Sequence, residues 1–187
     1  MASGASSDVI RRYLWLDLEM SGLDVSTCRI LEVAAIVTDL ELNEIESYHQ
    51  IVFQRPEVLA AMDDWCTQQH GKSGLTAAVA KGKPEADVER ELLGFIDRHW
   101  KSNERVVLAG NSIWTDRRFV EACWPQVTAR LHYRMLDVSS WKVLLKERFH
   151  LKYEKRGQHR AVDDVRESIG ELKYYLSHFT VERRPVA

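Results

Sequence analysis

Cysteine is scarce in this chain. Its three residues, Cys28, Cys66 and Cys123, are odd in number, widely spaced and without a CxxC pair. Such a set argues against a disulfide framework or a zinc site and fits free thiols in a reducing compartment. Long apolar runs are missing too, since nothing approaches the roughly 18 apolar residues of a membrane span. The start, "MASGASSDVIRR", lacks the apolar region of a secretory signal. These absences fit the cytoplasm or the mitochondrion, with residues 1–11 read as a flexible arm. Neither charge dominates. The 26 basic and 28 acidic residues leave a net charge of −2, so no broad basic field draws in duplex DNA or long nucleic acid. A short, locally held anion remains compatible.

No repeat, low-complexity tract or linker divides the remainder. With 187 residues, 45% hydrophobic and 29% charged, the chain suits one globular domain with a real core. That domain is read as 12–180, with 181–187 as a tail.

"RYLWLDLE" (12–19) alternates as a strand, with Tyr13, Trp15, Asp17 and Glu19 on one face and Leu14, Leu16 and Leu18 on the other. "RILEVAAIVTDL" (29–40) and "IESYHQIVFQ" (45–54) complete an opening β-meander. Short helical pieces over 57–75 are expected to close at Gly71 and Gly74. A helix over 85–100 carries Val88, Leu92, Phe95 and Ile96 at helical spacing. The strand "RVVLAGN" (105–111) leads to Ser112, expected to cap a helix running to about Leu131. "YRMLDV" (133–138) is read as a strand, followed by a helix capped by Ser139 or Ser140. The last helix is expected from about Arg160 to His178. Three strands followed by alternating strands and helices imply an α/β fold, a mixed sheet flanked by helices.

Acids then stand where acids are costly. Asp17 and Glu19, two apart on a strand, project side by side at about 6–7 Å. Two such anions destabilise one another unless something positive holds them. In "NSIWTDRRFVEACW" the residues Ile113, Phe119, Val120 and Cys123 share an arc of about 120°, and Asp116 lies within it. Arg117 and Arg118 fall outside that arc and read as solvated. On the last helix the apolar stripe is Ala161, Val162, Val165, Ile169, Leu172 and Leu176. Asp163 lies about 160° from Val165, towards solvent, and Asp164 about 100° away, at the edge of the stripe. Asp164 is therefore the better candidate for a cleft. His159 precedes this helix and can fold over the same cleft. Four carboxylates without a cysteine ligand select hard cations such as Mg²⁺ or Mn²⁺. A neighbouring histidine, with an ordinary pKa of about 6.5, suits a proton acceptor.

In this order, "WLDLEMSGLD", "AGNSIWTDRRF", "HYRMLDVSS" and "HRAVDDVRES" resemble the oligoribonuclease family, within the DEDDh 3′-to-5′ exonucleases of the ribonuclease H-like superfamily. The similarity runs from about Leu14 to Phe179. It implies that Asp17, Glu19, Asp116 and Asp164 hold two divalent ions, with His159 as general base and nucleoside 5′-monophosphates as products. It implies further that Leu23 and Trp65 sandwich the bases and that His70 sits near the substrate's 3′ end. Ser112, Arg134 and Ser139 would cap a 5′ phosphate, favouring dinucleotides and other very short RNA. The family also implies a homodimer, with His132 and Tyr133 close to the partner's site. Trp114 departs from the family pattern, where a smaller or more polar residue is expected, so it should face outward. A DEDDh exonuclease acting on longer single-stranded RNA or DNA is the rival of the same chemistry. A catalytically silent nucleotide-binding module is the rival from another class, disfavoured by the full acid set and His159.

Overall fold

The computed structural model describes residues 10–154 and 161–180. His159 lies outside the described residues, as do most of the expected N-terminal arm and the tail at 181–187. Strands β1 (Tyr13–Met20), β2 (Ile30–Thr38) and β3 (Glu44–Ile51) form the expected meander. Three helices follow, α1 (Pro56–Ala60), α2 (Asp64–Ser73) and α3 (Leu75–Val79), then α4 (Glu85–His99). Beyond them come β4 (Val106–Gly110), α5 (Trp114–Cys123), α6 (Pro125–Thr128), β5 (Leu131–Asp137), α7 (Val138–Phe149) and α8 (Ala161–Leu176).

The five strands are ordered β3-β2-β1-β4-β5. β1 pairs antiparallel with β2 and parallel with β4, and β5 runs parallel to β4. The sheet is thus mixed, with β1 at its centre. Both faces of β1 are covered along its first half, so Leu14, Trp15 and Leu16 are all buried. Leu14, Leu16 and Leu18 pack with Val88, Leu92, Phe95 and Ile96 of α4 and with Phe119 and Val120 of α5. Trp15 points the other way, to Val165, Ile169, Leu172 and Tyr175 of α8, and its indole N–H donates to Thr38 Oγ1 at 3.0 Å. At about 2 kcal/mol for each buried leucine, this strand is strongly anchored.

Several expected boundaries are corrected. Gly71 lies inside α2, whereas Gly74, at φ 80°, ends it in the left-handed conformation that glycine tolerates. The helix expected to reach Leu131 stops at Cys123, because Pro125 has no N–H to continue it and instead starts α6. Leu131 opens β5. Neither Ser112 nor Ser139 acts as an N-cap: Ile113 precedes α5 without a side-chain bond, and Asp137 caps α7 by accepting from the Ser139 N–H. Leu176, assigned to the stripe of α8, is exposed, and Tyr175 is buried in its place.

Candidate active site

Glu19, near the carboxyl end of β1, opens onto a cleft walled by β2, β3, α2, α3 and α8. Asp17 stands two residues before it on the same face of the strand. Beyond Glu19 the register with β2 shifts, so the strand leaves its regular course beside the acids. Asp164 reaches them from the first turn of α8. Single carboxylate oxygens of Asp17, Glu19 and Asp164 lie within 4.8 Å of one another. Asp163 stays outside the trio and pairs with Arg166 at 3.3 Å, but it lines the adjoining cleft with Asp164, so its expected place in solvent is corrected.

Asp116 stands behind this trio without joining it at ligand distance. Its Oδ1 accepts the Leu18 N–H at 2.9 Å, a bond that ties α5 to β1 across 98 residues. It is buried. Burial, and then the Asp17 charge, push its carboxyl up to about 8. Glu19 is raised to about 7, first by burial, then by Glu32, Asp164 and Asp116. Groups that resist ionisation because their neighbours are anions form a site that a cation stabilises. The donors are all hard oxygens, so they fit Mg²⁺ or Mn²⁺ and not a thiolate-seeking metal.

A cleft of about 780 Å³ adjoins the trio, with Glu19, Asp164, His70, Trp65, Glu32 and His49 among its walls. His70 is buried. Its Nε2 meets the Met20 carbonyl at 2.8 Å and its Nδ1 stands 3.9 Å from Glu19. Trp65 and Leu23 are 67% and 73% exposed, which removes core packing as an explanation for either. Glu32 and His49, paired at 2.5 Å on neighbouring strands, line the cleft although neither was singled out in the sequence. Their signal was present in the alternation of β2 and β3 but carried no chemistry by itself.

A second polar cluster gathers where β4 meets α7. The Ser112 N–H donates to Asp137 Oδ1 at 3.0 Å and to Ser139 Oγ at 2.8 Å, with the two hydroxyl oxygens 3.1 Å apart. Asp137 also contributes to the raised pKa of Asp116, so this cluster borders the acids. Arg134 lies with its guanidinium 4.9 Å from the centre of the exposed Tyr133 ring. His132 is buried, stacked on Tyr133 at 4.6 Å, and accepts the Arg134 N–H. Trp114 is 56% exposed, facing outward as its position required. Arg117, expected to be solvated, instead bridges Glu121 at 2.7 Å and the His132 carbonyl at 2.6 Å, fastening α5 to β5.

The class follows from the sequence that builds this fold and acid cluster: residues 14–172 match the RNase_T family model, described as an exonuclease. An exonuclease I from Methylocaldum szegediense shares the fold at a TM-score of 0.64, with 18% identity over 90% of this chain. The chain spans 41% of that longer protein. Closer in sequence is an oligoribonuclease of Francisella tularensis subsp. tularensis, 46% identical over 87% of this chain and 92% of its own length. Another, from Alkalilimnicola ehrlichii, is 45% identical over 89% of this chain and 88% of its own. The chain belongs to the oligoribonuclease family.

Proposed function

We propose that this enzyme hydrolyses very short RNA, dinucleotides above all, from the 3′ end to nucleoside 5′-monophosphates. The observation that carries this reading is the meeting of Asp17, Glu19 and Asp164 oxygens within 4.8 Å on the wall of a cleft bearing an exposed tryptophan. Asp17, Glu19, Asp116 and Asp164 would hold two Mg²⁺ or Mn²⁺ ions, which supply charge for the attacking and leaving oxygens of a phosphoryl displacement. His159 takes the proton of the attacking water, a role assigned on its sequence motif. Trp65 and Leu23 grip the bases by stacking, which tolerates any sequence. His70, held by the Met20 carbonyl, faces the 3′ end. Ser112 and Arg134 receive the 5′ phosphate through charge-assisted bonds, and Ser139 completes that cap by holding the Ser112 N–H. The exposed Tyr133, backed by the buried His132 ring, is the surface offered to a second copy, so the working form is a homodimer.

A preparation supplied with Mg²⁺ should release mononucleotide from a dinucleotide and lose this activity on adding EDTA or in Asp17→Ala. Persistence of release in either case refutes the metal chemistry. Arg134→Ala should slow dinucleotides more than longer oligomers, and an equal effect on both would remove the phosphate cap. His159→Ala should keep metal binding but slow turnover roughly 100-fold or more.

A further inference from the structure

Glu171 on α8 is a carboxylate with no exposure at all, and nothing in the reaction uses it directly. An ion so far from water is costly unless each oxygen is met. Here each one is. Oε2 accepts from Asn111 Nδ2 at 3.1 Å, and Oε1 accepts the Tyr175 hydroxyl at 2.9 Å, with Lys142 Nζ 3.6 Å away. Burial and that bond push the Tyr175 hydroxyl upward, so it remains a donor.

The consequence falls on Asn111, the residue that follows β4. Its amide nitrogen spends both protons on α8, one on Glu171 and one on Ser168 Oγ at 2.9 Å. The amide oxygen must then face the other way, where it accepts the Ser139 hydroxyl at 3.3 Å. Having given its one proton to Asn111, Ser139 Oγ can only accept, and it does so from the Ser112 N–H. This holds Ser112 in a left-handed backbone conformation, φ 50°, uncommon for a residue with a side chain. The Ser112 hydroxyl is left with a single rotatable proton, which can point to Ser139 or turn to an arriving anion.

We propose that Glu171 and Asn111 are positioning residues, a buried relay that fixes the Ser139 hydroxyl and the Ser112 backbone, leaves the Ser112 proton free for a terminal 5′ phosphate and thereby sets how strongly that phosphate is recognised. The relay rests on the reading of Ser112 and Ser139 as a phosphate cap. It acts through donor direction and not through charge at the surface.

Donor inversion tests it. Asn111→Asp removes both donor bonds to α8 and sets two carboxylates face to face, whose repulsion drives residue 111 off the Ser139 hydroxyl, whereas adding Glu171→Gln restores one donor facing one acceptor in the reverse sense and lets residue 111 return. KM and kcat are measured for dinucleotides with and without a 5′ phosphate. In Asn111→Asp the KM preference for the 5′-phosphorylated substrate should fall about tenfold, the scale of one charge-assisted bond. The double variant should regain most of it. A parallel loss on both substrates would mean a merely structural role and overturn the relay, as would a double variant that does not recover. Where Asn111→Asp does not fold, the double variant against the parent still decides: a kept preference supports the relay and a lost one refutes it. A different result sinks the cap itself. If Ser112→Ala and Arg134→Ala both leave the preference intact, the phosphate is read elsewhere and the relay falls with the cap.

Discussion

Replacing Asp116 by asparagine should make the metal-stripped protein more stable while making it useless as an enzyme. Asparagine keeps an oxygen for the Leu18 N–H, bonded at 2.9 Å, and removes the charge that burial and Asp17 oppose. Ionised Asp116 is displaced from 3.8 to about 8. At about 1.4 kcal/mol per tenfold, that is a penalty on the order of 5 kcal/mol for a site stripped of cations. Allowing for relaxation of neighbours, recovery of about 2 kcal/mol corresponds to roughly 4–8 °C in Tm for a chain of this size. Below about 3.8 the folded and unfolded chains both keep the proton and the penalty is nil. Parent stability from this group is lost as pH rises towards about 8, so the advantage of Asp116→Asn grows over the same window by up to about 1.4 kcal/mol per pH unit. Thermal melts in EDTA across this range read the effect directly. Adding Mn²⁺ should then raise the Tm of the parent more than that of the variant, which keeps only the Asp17, Glu19 and Asp164 trio and whose dinucleotide hydrolysis is lost. A variant no more stable than the parent at pH 8 in EDTA, or an advantage equal at pH 6 and 8, refutes the electrostatic account.

Three further outcomes are expected. Trp65→Ala should leave Tm nearly unchanged, because the ring is exposed, but raise dinucleotide KM roughly tenfold, in line with stacking worth about 1–3 kcal/mol per base; an unchanged KM removes Trp65 from the clamp. Asp164→Asn should abolish turnover, whereas Asp163→Asn, which loosens a partly exposed pair with Arg166 on the cleft wall and leaves the acid trio intact, should keep most of it and cost under about 0.5 kcal/mol of stability. Gly110→Ala would bring a Cβ to 2.8 Å from the Leu16 carbonyl, forcing β1 from β4 beside Asp17; a loss of about 2 kcal/mol with a matching fall in turnover is expected, and an undisturbed melt would show that the strands yield.

Much of the site could be read from residue order because its carriers are periodic. Alternation put Asp17 and Glu19 on one face of β1, and helical phase picked Asp164 for the trio and turned Asp116 inward, although Asp163 lines the same cleft instead of facing solvent. The relay of Glu171, Ser168 and Asn111 escaped because an apolar stripe counts only apolar residues. What makes their burial tolerable is a set of partners 57 and 60 positions away, a distance no local pattern reports. Ser112 was misread for a related reason. A serine after a strand looks like a helix cap, but Asp137 and Ser139 hold its N–H and delay α5 to Trp114. The break at Pro125 could have been read, since proline at a first helical position marks a new start.

The seat of β1 at the middle of the sheet carries a practical corollary. The strand joins two separately filled interiors, and its second half carries two of the clustered acids, so loosening either interior shifts the carboxylates before the molecule comes apart. Inactivation on warming should accordingly run slightly ahead of melting, and a preparation that has lost part of its order should have lost nearly all of its hydrolytic power.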